Sequence, residues 1–440
     1  MNTPICDFVK NYISQNKLRL HMPGHKGCGL LGFEEWDITE ITGADSLYQA
    51  DGIINQSEEN ASFLFGSNTF YSTEGSSHCI RAMLYLALQK SGGNRLIAAG
   101  RNAHKTFLTA AALLDLEIDW LMGENGNYLS SNITPEYLEN YLKNKDNLPF
   151  AIYLTSPDYL GNILDIEKIS EVCRKYRVML LVDNAHGSYL KFLPHSLHPI
   201  DLGADICCDS AHKTLPALTG AAYLHISNRL DGYFKENAKS ALALFGSTSP
   251  SYLVLQSLDA LNKYLYEYPS SLKSFTQKLD ELKEKLVDKG FSLVGNEPLK
   301  ITVSTKPYGY EGQEFAEILN NFGIVAEFFD PDYLTLMFTP EIGEEGLNKL
   351  LNVMSKIPKK SPIIAPPPTV CLPEKRLSAR QATLIECEWI DVKAAGGRIS
   401  ASPTVGCPPA VPIIVCGEVI DENIVKCFEY YGISKCLVVK

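Results

Sequence analysis

From Phe70 onward, short apolar runs alternate with amphipathic stretches, and this alternation limits the possible folds more than any other feature. The runs RLIAAG (95–100), LEIDWLM (116–122), FAIYLTS (150–156), VMLLVD (178–183), ADICCD (204–209) and AAYLHIS (221–227) have the length of strands. Between several of them lie helical segments such as DIEKISEVCRKYR (165–177). Over residues 80–88, Ile80, Met83, Leu84, Ala87 and Leu88 share one helical face. Strands apolar on both faces, with helices between them, predict an α/β fold. Its sheet should be mainly parallel and covered on both sides.

The pattern changes along the chain. Residues 1–60 carry few clear elements and hold the loop-like HMPGHKGCGLLG (21–32). Residues 252–290 turn strongly helical. A second α/β portion follows, with strand candidates LKITVST (299–305), GIVAEFF (323–329) and YLTLMFT (333–339). The Pro-rich PKKSPIIAPPPTV (358–370) breaks the pattern. Four parts are expected: an N-terminal arm 1–60, a large domain 61–265, a small α/β domain 266–357 and a C-terminal domain 358–440.

Composition narrows the function classes. A chain of 440 residues with 45% hydrophobic content can build a large core and more than one domain. A net charge of -11 argues against nonspecific nucleic-acid binding, which needs clustered Lys and Arg. No apolar run approaches the ~20 residues that span a bilayer. The start, MNTPICDFVKNYISQNK, lacks the apolar core of a secretory leader. A cytoplasmic location is expected. Twelve Cys are scattered without a C-x-x-C pair, the closest being Cys207 and Cys208. They are expected to be reduced and structural, with no disulfide framework and no metal site.

Four segments carry chemistry. In STEGSSHCIRAML (72–84) a Gly and two hydroxyl residues open an amphipathic helix. Such an N-terminus offers free N–H groups and positive dipole to a phosphate, and Ser76 and Ser77 add hydroxyls; equally, a Ser there serves as a simple N-cap. In LLVDNAHG (180–187) a buried strand ends in Asp183, followed by His186 and a Gly. Carboxyl ends of strands in open α/β sheets are where ligands bind. Asp183 suits a protonated ring nitrogen such as a pyridinium, or alternatively caps its loop. In CDSAHKTLPALTGAA (208–222) another strand ends in Ser210, His212 and Lys213, one α/β unit after the acid. A lysine enclosed at a strand end can lose its proton and attack an aldehyde. In RNAHKTF (101–107), His104 can stack on a planar ring or serve structurally.

These motifs, with HMPGHKG, DNAHGSYLKF, GSTSPSYLVLQSLD (246–259) and GRISASPTVGCPPAVP, resemble the Orn/Lys/Arg decarboxylase family of fold-type-I pyridoxal-phosphate (PLP) enzymes. The similarity runs in order from about residue 18 to about residue 420, and the S-x-H-K-T-L-P-A-L-T and S-T-S-P-S-Y runs are highly specific together. The resemblance implies an aspartate-aminotransferase-like fold, a mainly parallel sheet with helices on both faces plus smaller α/β C-terminal units. Residues 61–265 would then be the PLP-binding domain. Lys213 matches the Schiff-base lysine, Asp183 the acid at the pyridine nitrogen and His104 the histidine stacked on the ring. Ser76, Ser77, His186, Ser210 and His212 match phosphate or cofactor contacts. Thr248 and Ser249 match a loop that reaches a neighbouring subunit's cofactor, and His21–Gly27 a run lining the dimer mouth, which implies a homodimer or higher homo-oligomer. The implied reaction is α-decarboxylation of a basic amino acid, arginine before lysine or ornithine, giving CO2 and a polyamine precursor.

The chain also departs from the family. Where members read T-N-G-S-T it has Glu74 before Gly75. In the C-terminal signature Ser402 replaces a Glu, Cys407 a Tyr and Ala410 a Gly. These changes leave substrate and activity open. Transamination or aldol cleavage on the same fold is one alternative, although no Arg is marked to clamp an α-carboxylate. A decayed oligomer partner is another, and the retained Lys213, Asp183 and His104 argue against it.

Overall fold

All six runs between residues 95 and 227 are strands, and a seventh precedes them. The strands are β1 (Asn68–Ser72), β2 (Leu96–Gly100), β3 (Glu117–Leu121), β4 (Ala151–Thr155), β5 (Met179–Asp183), β6 (Ile206–Asp209) and β7 (Ala222–Ile226). The structure, a computed structural model, describes residues 1–124, 127–369, 371–402 and 411–440. Contacts divide the chain into two units, residues 1–93 with 179–272, and residues 94–178 with 273–440.

In the first unit the strand order is β1-β7-β6-β5. β5 and β6 are parallel, whereas β7 is antiparallel to β6 and β1. Helix Ser76–Gln89 packs on β5, β6 and β7, burying Cys79, Ile80, Met83, Leu84 and Ala87. Four of the five residues of the expected apolar face are buried, and the fifth, Leu88, is only part-buried. The arm is more ordered than its sequence suggests, with helices Pro4–Ser14 and Ile53–Phe65. Pro4 sits in the first turn of the former, where its missing N–H costs nothing, and Ile5 and Val9 are buried.

In the second unit β4, β2 and β3 are parallel neighbours. Helix Ile166–Tyr176 starts at Asp165, which accepts from Lys168 N, and ends at Arg177 in the left-handed region. Its buried Ile166, Ile169, Ser170 and Cys173 follow the helical period. Four strands, β8 (Ser292–Val294), β9 (Lys300–Ser304), β10 (Phe328–Phe329) and β11 (Tyr333–Met337), form an antiparallel sheet in the order β10-β11-β9-β8. The strand expected over 323–329 is corrected to its last two residues. Gly323 turns at φ 69 after helix Gly312–Asn321, and Val325 is left exposed. The last pair, β12 (Cys387–Asp391) and β13 (Lys435–Val439), is antiparallel.

The second unit also buries an ion pair. Arg101 Nη2 lies 2.8 Å from Glu418 Oε2, and its guanidinium stacks over the Trp120 ring. Both side chains are nearly inaccessible. Removing one partner strands a charge, so Glu418→Ala is expected to cost about 3–5 kcal/mol. Replacing both by apolar residues (Arg101→Met with Glu418→Leu) should recover most of that loss. Urea unfolding of the wild type and the two variants checks it.

Candidate functional site

The first unit gathers most of the singled-out residues at the carboxyl ends of β5 and β6. Asp183 closes β5 and is 2% exposed. Its Oδ1 accepts from Ala185 N at 3.2 Å and lies 3.7 Å from Cys208 Sγ. The turn after it is tight. A Cβ on Gly187 would stand 2.0 Å from Asn184 Oδ1, so the G of D-N-A-H-G is a packing requirement. That turn buries His186, whose Nε2 lies 3.0 Å from Lys213 Nζ.

Lys213 rides on the short helix Ala211–Thr214, directly after β6. His212 Nδ1 is 2.9 Å from Ala221 O. Burial, then the Lys213 charge, pushes the His212 pKa below its ordinary value, favouring the neutral ring. Ser210 Oγ donates to Ser76 Oγ at 2.8 Å. The lysine segment and the start of helix Ser76–Gln89 therefore meet through two hydroxyls. Ser77 is the next residue of that helix, whose N-cap is Gly75 at φ 73.

Gly75 N donates to Gly220 O at 2.8 Å, the last residue of the L-P-A-L-T-G run. Gly220 has φ 100, and a Cβ there would lie 2.8 Å from Thr73 O. Gly220→Ala is expected to cost about 1–3 kcal/mol and to push the Thr73–Ser77 segment away. A lowered melting temperature together with weaker PLP retention is the measured outcome.

Several contributors were not foreseen. Asn184 Nδ2 donates to Asp209 Oδ1 at 2.6 Å, tying the Asp183 turn to the end of β6. Glu74 Oε1 accepts from Ser247 N at 2.6 Å, so the acid that departs from the family pattern holds the G-S-T-S-P-S-Y loop. Thr248 and Ser249 lie exposed on that loop. Asn184 and Glu74 at loop positions, and a lone Asp209 at a strand end, carry no periodic signal, which is why pattern reading missed them. His104 belongs to the second unit. It is the N-cap of helix Lys105–Leu114, accepting from Thr106 N at 3.2 Å through Nδ1. The His21–Gly27 run is held by its own contacts, among them Tyr12 OH to His21 Nε2 at 2.6 Å and Gly27 N to His25 Nδ1 at 3.0 Å. Ser402 is buried, while Cys407 and Ala410 lie outside the described residues.

No helix of the described residues is long and apolar enough to cross a membrane. The eleven described cysteines are free thiols.

Comparison with known proteins gives a consistent picture. Residues 3–347 match the family described as Orn/Lys/Arg decarboxylase, major domain. An arginine decarboxylase of Bacillus subtilis is 30% identical over 97% of this chain and 93% of its own length. An arginine decarboxylase of Halalkalibacterium halodurans is 29% identical over 96% of this chain and 91% of its own. Among solved structures, the lysine decarboxylase of Francisella novicida superposes with a TM-score of 0.81 at 18% identity, covering 100% of this chain and 81% of that one. The constitutive lysine decarboxylase of E. coli gives 0.77 at 18% identity, covering 100% and 82%. At that identity the structural likeness establishes the fold, an aspartate-aminotransferase-like α/β fold.

Proposed function

Because the chain belongs to the Orn/Lys/Arg decarboxylase family of PLP-dependent carboxy-lyases, we propose that it removes the α-carboxylate of a basic amino acid, arginine in the first place and lysine or ornithine after it. The products are CO2 and a cationic amine, a polyamine precursor. The preference for arginine is supported by relatives named arginine decarboxylase that match nearly the whole chain.

The residues fit PLP. The observation that carries the reading is the meeting, at the ends of β5 and β6, of a buried acid, an amino group and a pair of hydroxyls at a helix start. In this reading Lys213 binds the cofactor covalently, and His186, 3.0 Å from Nζ, is placed to exchange a proton with it. Ser76, Ser77 and Ser210 take the phosphate, where helix N–H groups and hydroxyls suit an anion. His212, held neutral by burial, orients beside them. Asp183 would keep the proton on the ring nitrogen, and His104 would stack on the ring. When bound, PLP supplies the electron sink for the carbanion left as CO2 departs. Thr248 and Ser249 complete the site of a second copy, so the working unit is a homodimer or larger, acting in the cytoplasm. The four-part division into 1–60, 61–265, 266–357 and 358–440 is retained as part of this proposal.

The deciding assay incubates PLP-loaded protein with arginine, lysine and ornithine and follows CO2 and amine together. Release from arginine above both others, and above the Lys213→Ala background, is expected. No CO2 from any of the three, with turnover of an amino-group acceptor or an aldehyde, would reject decarboxylation in favour of another PLP reaction.

A further inference from the structure

Behind the strand that leads to Lys213 lies a second polar cluster, sealed from solvent. Cys207 and Asp209 stand two residues apart on β6 and so share one face. β7 pairs its His225 with Cys207, which puts His225 on that face as well. His198 reaches the same place from the loop before β6. His198 Nε2 lies 3.1 Å from Asp209 Oδ2 and His225 Nε2 lies 3.3 Å from it, and all three side chains are 0% exposed. One ligand atom from each of His198, Cys207 and Asp209 falls within 4.8 Å of the others. His225 Nε2 is buried and makes no hydrogen bond of acceptable geometry, although it is aimed at the cluster.

We propose that His198, Cys207 and Asp209 bind a divalent transition metal, zinc being the expected ion, and that His225, which lies outside that 4.8 Å group but has Nε2 3.3 Å from Asp209 Oδ2, turns in as the fourth donor of a tetrahedron. The ligand set is one that zinc takes in structural sites, four N, S and O donors. Bonds of about 2.0–2.3 Å in a tetrahedron put donors roughly 3.3–3.8 Å apart. The two nitrogen–oxygen distances, 3.1 and 3.3 Å, are already near that spacing. Cys207 Sγ lies within 4.8 Å of the ligand atoms of His198 and Asp209 and would close on the ion by turning about χ1.

Charge favours an ion as well. An ionised carboxylate in a closed interior needs a full countercharge. A divalent ion bound by one thiolate, one carboxylate and two neutral imidazoles leaves no net charge. The ion displaces the Cys207 thiol proton: one S–H bond breaks, one metal–sulfur bond forms and one proton leaves, with no change of oxidation state. The outer contacts of such a site are present. Asn184 Nδ2 donates to Asp209 Oδ1 at 2.6 Å, and His225 Nδ1 is 2.9 Å from Thr69 Oγ1. The site would fasten β6 to β7 just before Ser210 and Lys213, acting as a structural clamp.

Zinc itself is the probe. Untagged, PLP-loaded protein is incubated with excess zinc and passed through gel filtration. Retention of about one ion per chain is expected, with X-ray absorption showing one sulfur at about 2.3 Å and lighter donors at about 2.0 Å. Cys207→Ser should lose the sulfur shell, and His198→Gln should lower retention about tenfold or more. Wild-type protein that retains no zinc, or zinc with no sulfur neighbour, overturns the proposal. So does a sulfur shell that survives Cys207→Ser. If Cys207→Ser fails to fold, the wild-type retention and spectrum decide alone.

Discussion

Lys213→Ala protein is expected to show no visible absorbance from lysine-bound PLP, no adduct fixed by borohydride, and CO2 release lowered about ten-thousandfold or more. The size follows from what is removed. The lysine is the proposed attachment point, and no other side chain described in that cluster offers an amine. His186 Nε2 stands 3.0 Å from the Nζ that the substitution deletes, so the proton exchange proposed between them is lost as well. A factor of ten thousand corresponds to about 5.5 kcal/mol of barrier. The short helix Ala211–Thr214 that carries the residue should survive the change, because Ala is the best helix former. Folding can therefore be checked separately by thermal melting. A borohydride adduct mapped to any other lysine in wild-type protein would refute the assignment.

The parts of this site that were legible in the sequence share one physical property. β2, β4, β5 and β6 are short, apolar and largely buried, and antiparallel β7 is buried too, so they read as continuous apolar runs. The chemical residues follow directly from where those runs stop, as with Asp183 at the end of β5 and Ser210 just past β6. β1 was not legible. Its sequence, NTFYS, is mostly polar, and it becomes a strand by antiparallel pairing with β7 across 150 residues of chain. Tertiary pairing overrides local propensity there. The run over 323–329 failed in the opposite direction, because the turn at Gly323 spends its first residues before the two-residue strand begins. The Asn184–Asp209–His198 network was invisible because it joins two loops and a strand with no fixed spacing. The Glu74 contact with Ser247 links positions 173 residues apart, and nothing in either segment announces the other.

Asp183→Asn is expected to retain PLP and to lose turnover on the order of a thousandfold, which is about 4 kcal/mol of barrier. Retention is argued from shape. Asn is isosteric with Asp, and its side-chain oxygen can still accept from Ala185 N, the 3.2 Å contact that shapes the turn. The Ser76, Ser77 and Ser210 cluster and Lys213 are untouched. Loss of turnover is argued from charge. At 2% exposure the carboxylate works in a poorly hydrated setting, where a negative group stabilises a neighbouring protonated nitrogen far more than it would in water. An amide has no charge to offer, so a protonated ring nitrogen beside it would lose its stabilising partner and the electron sink the cofactor supplies would weaken. The split separates this role from a purely structural one. A structural defect would lower PLP retention and melting temperature together with rate, whereas the proposed role lowers kcat at near-normal cofactor content. Near-normal turnover in fully loaded Asp183→Asn protein would remove Asp183 from the mechanism.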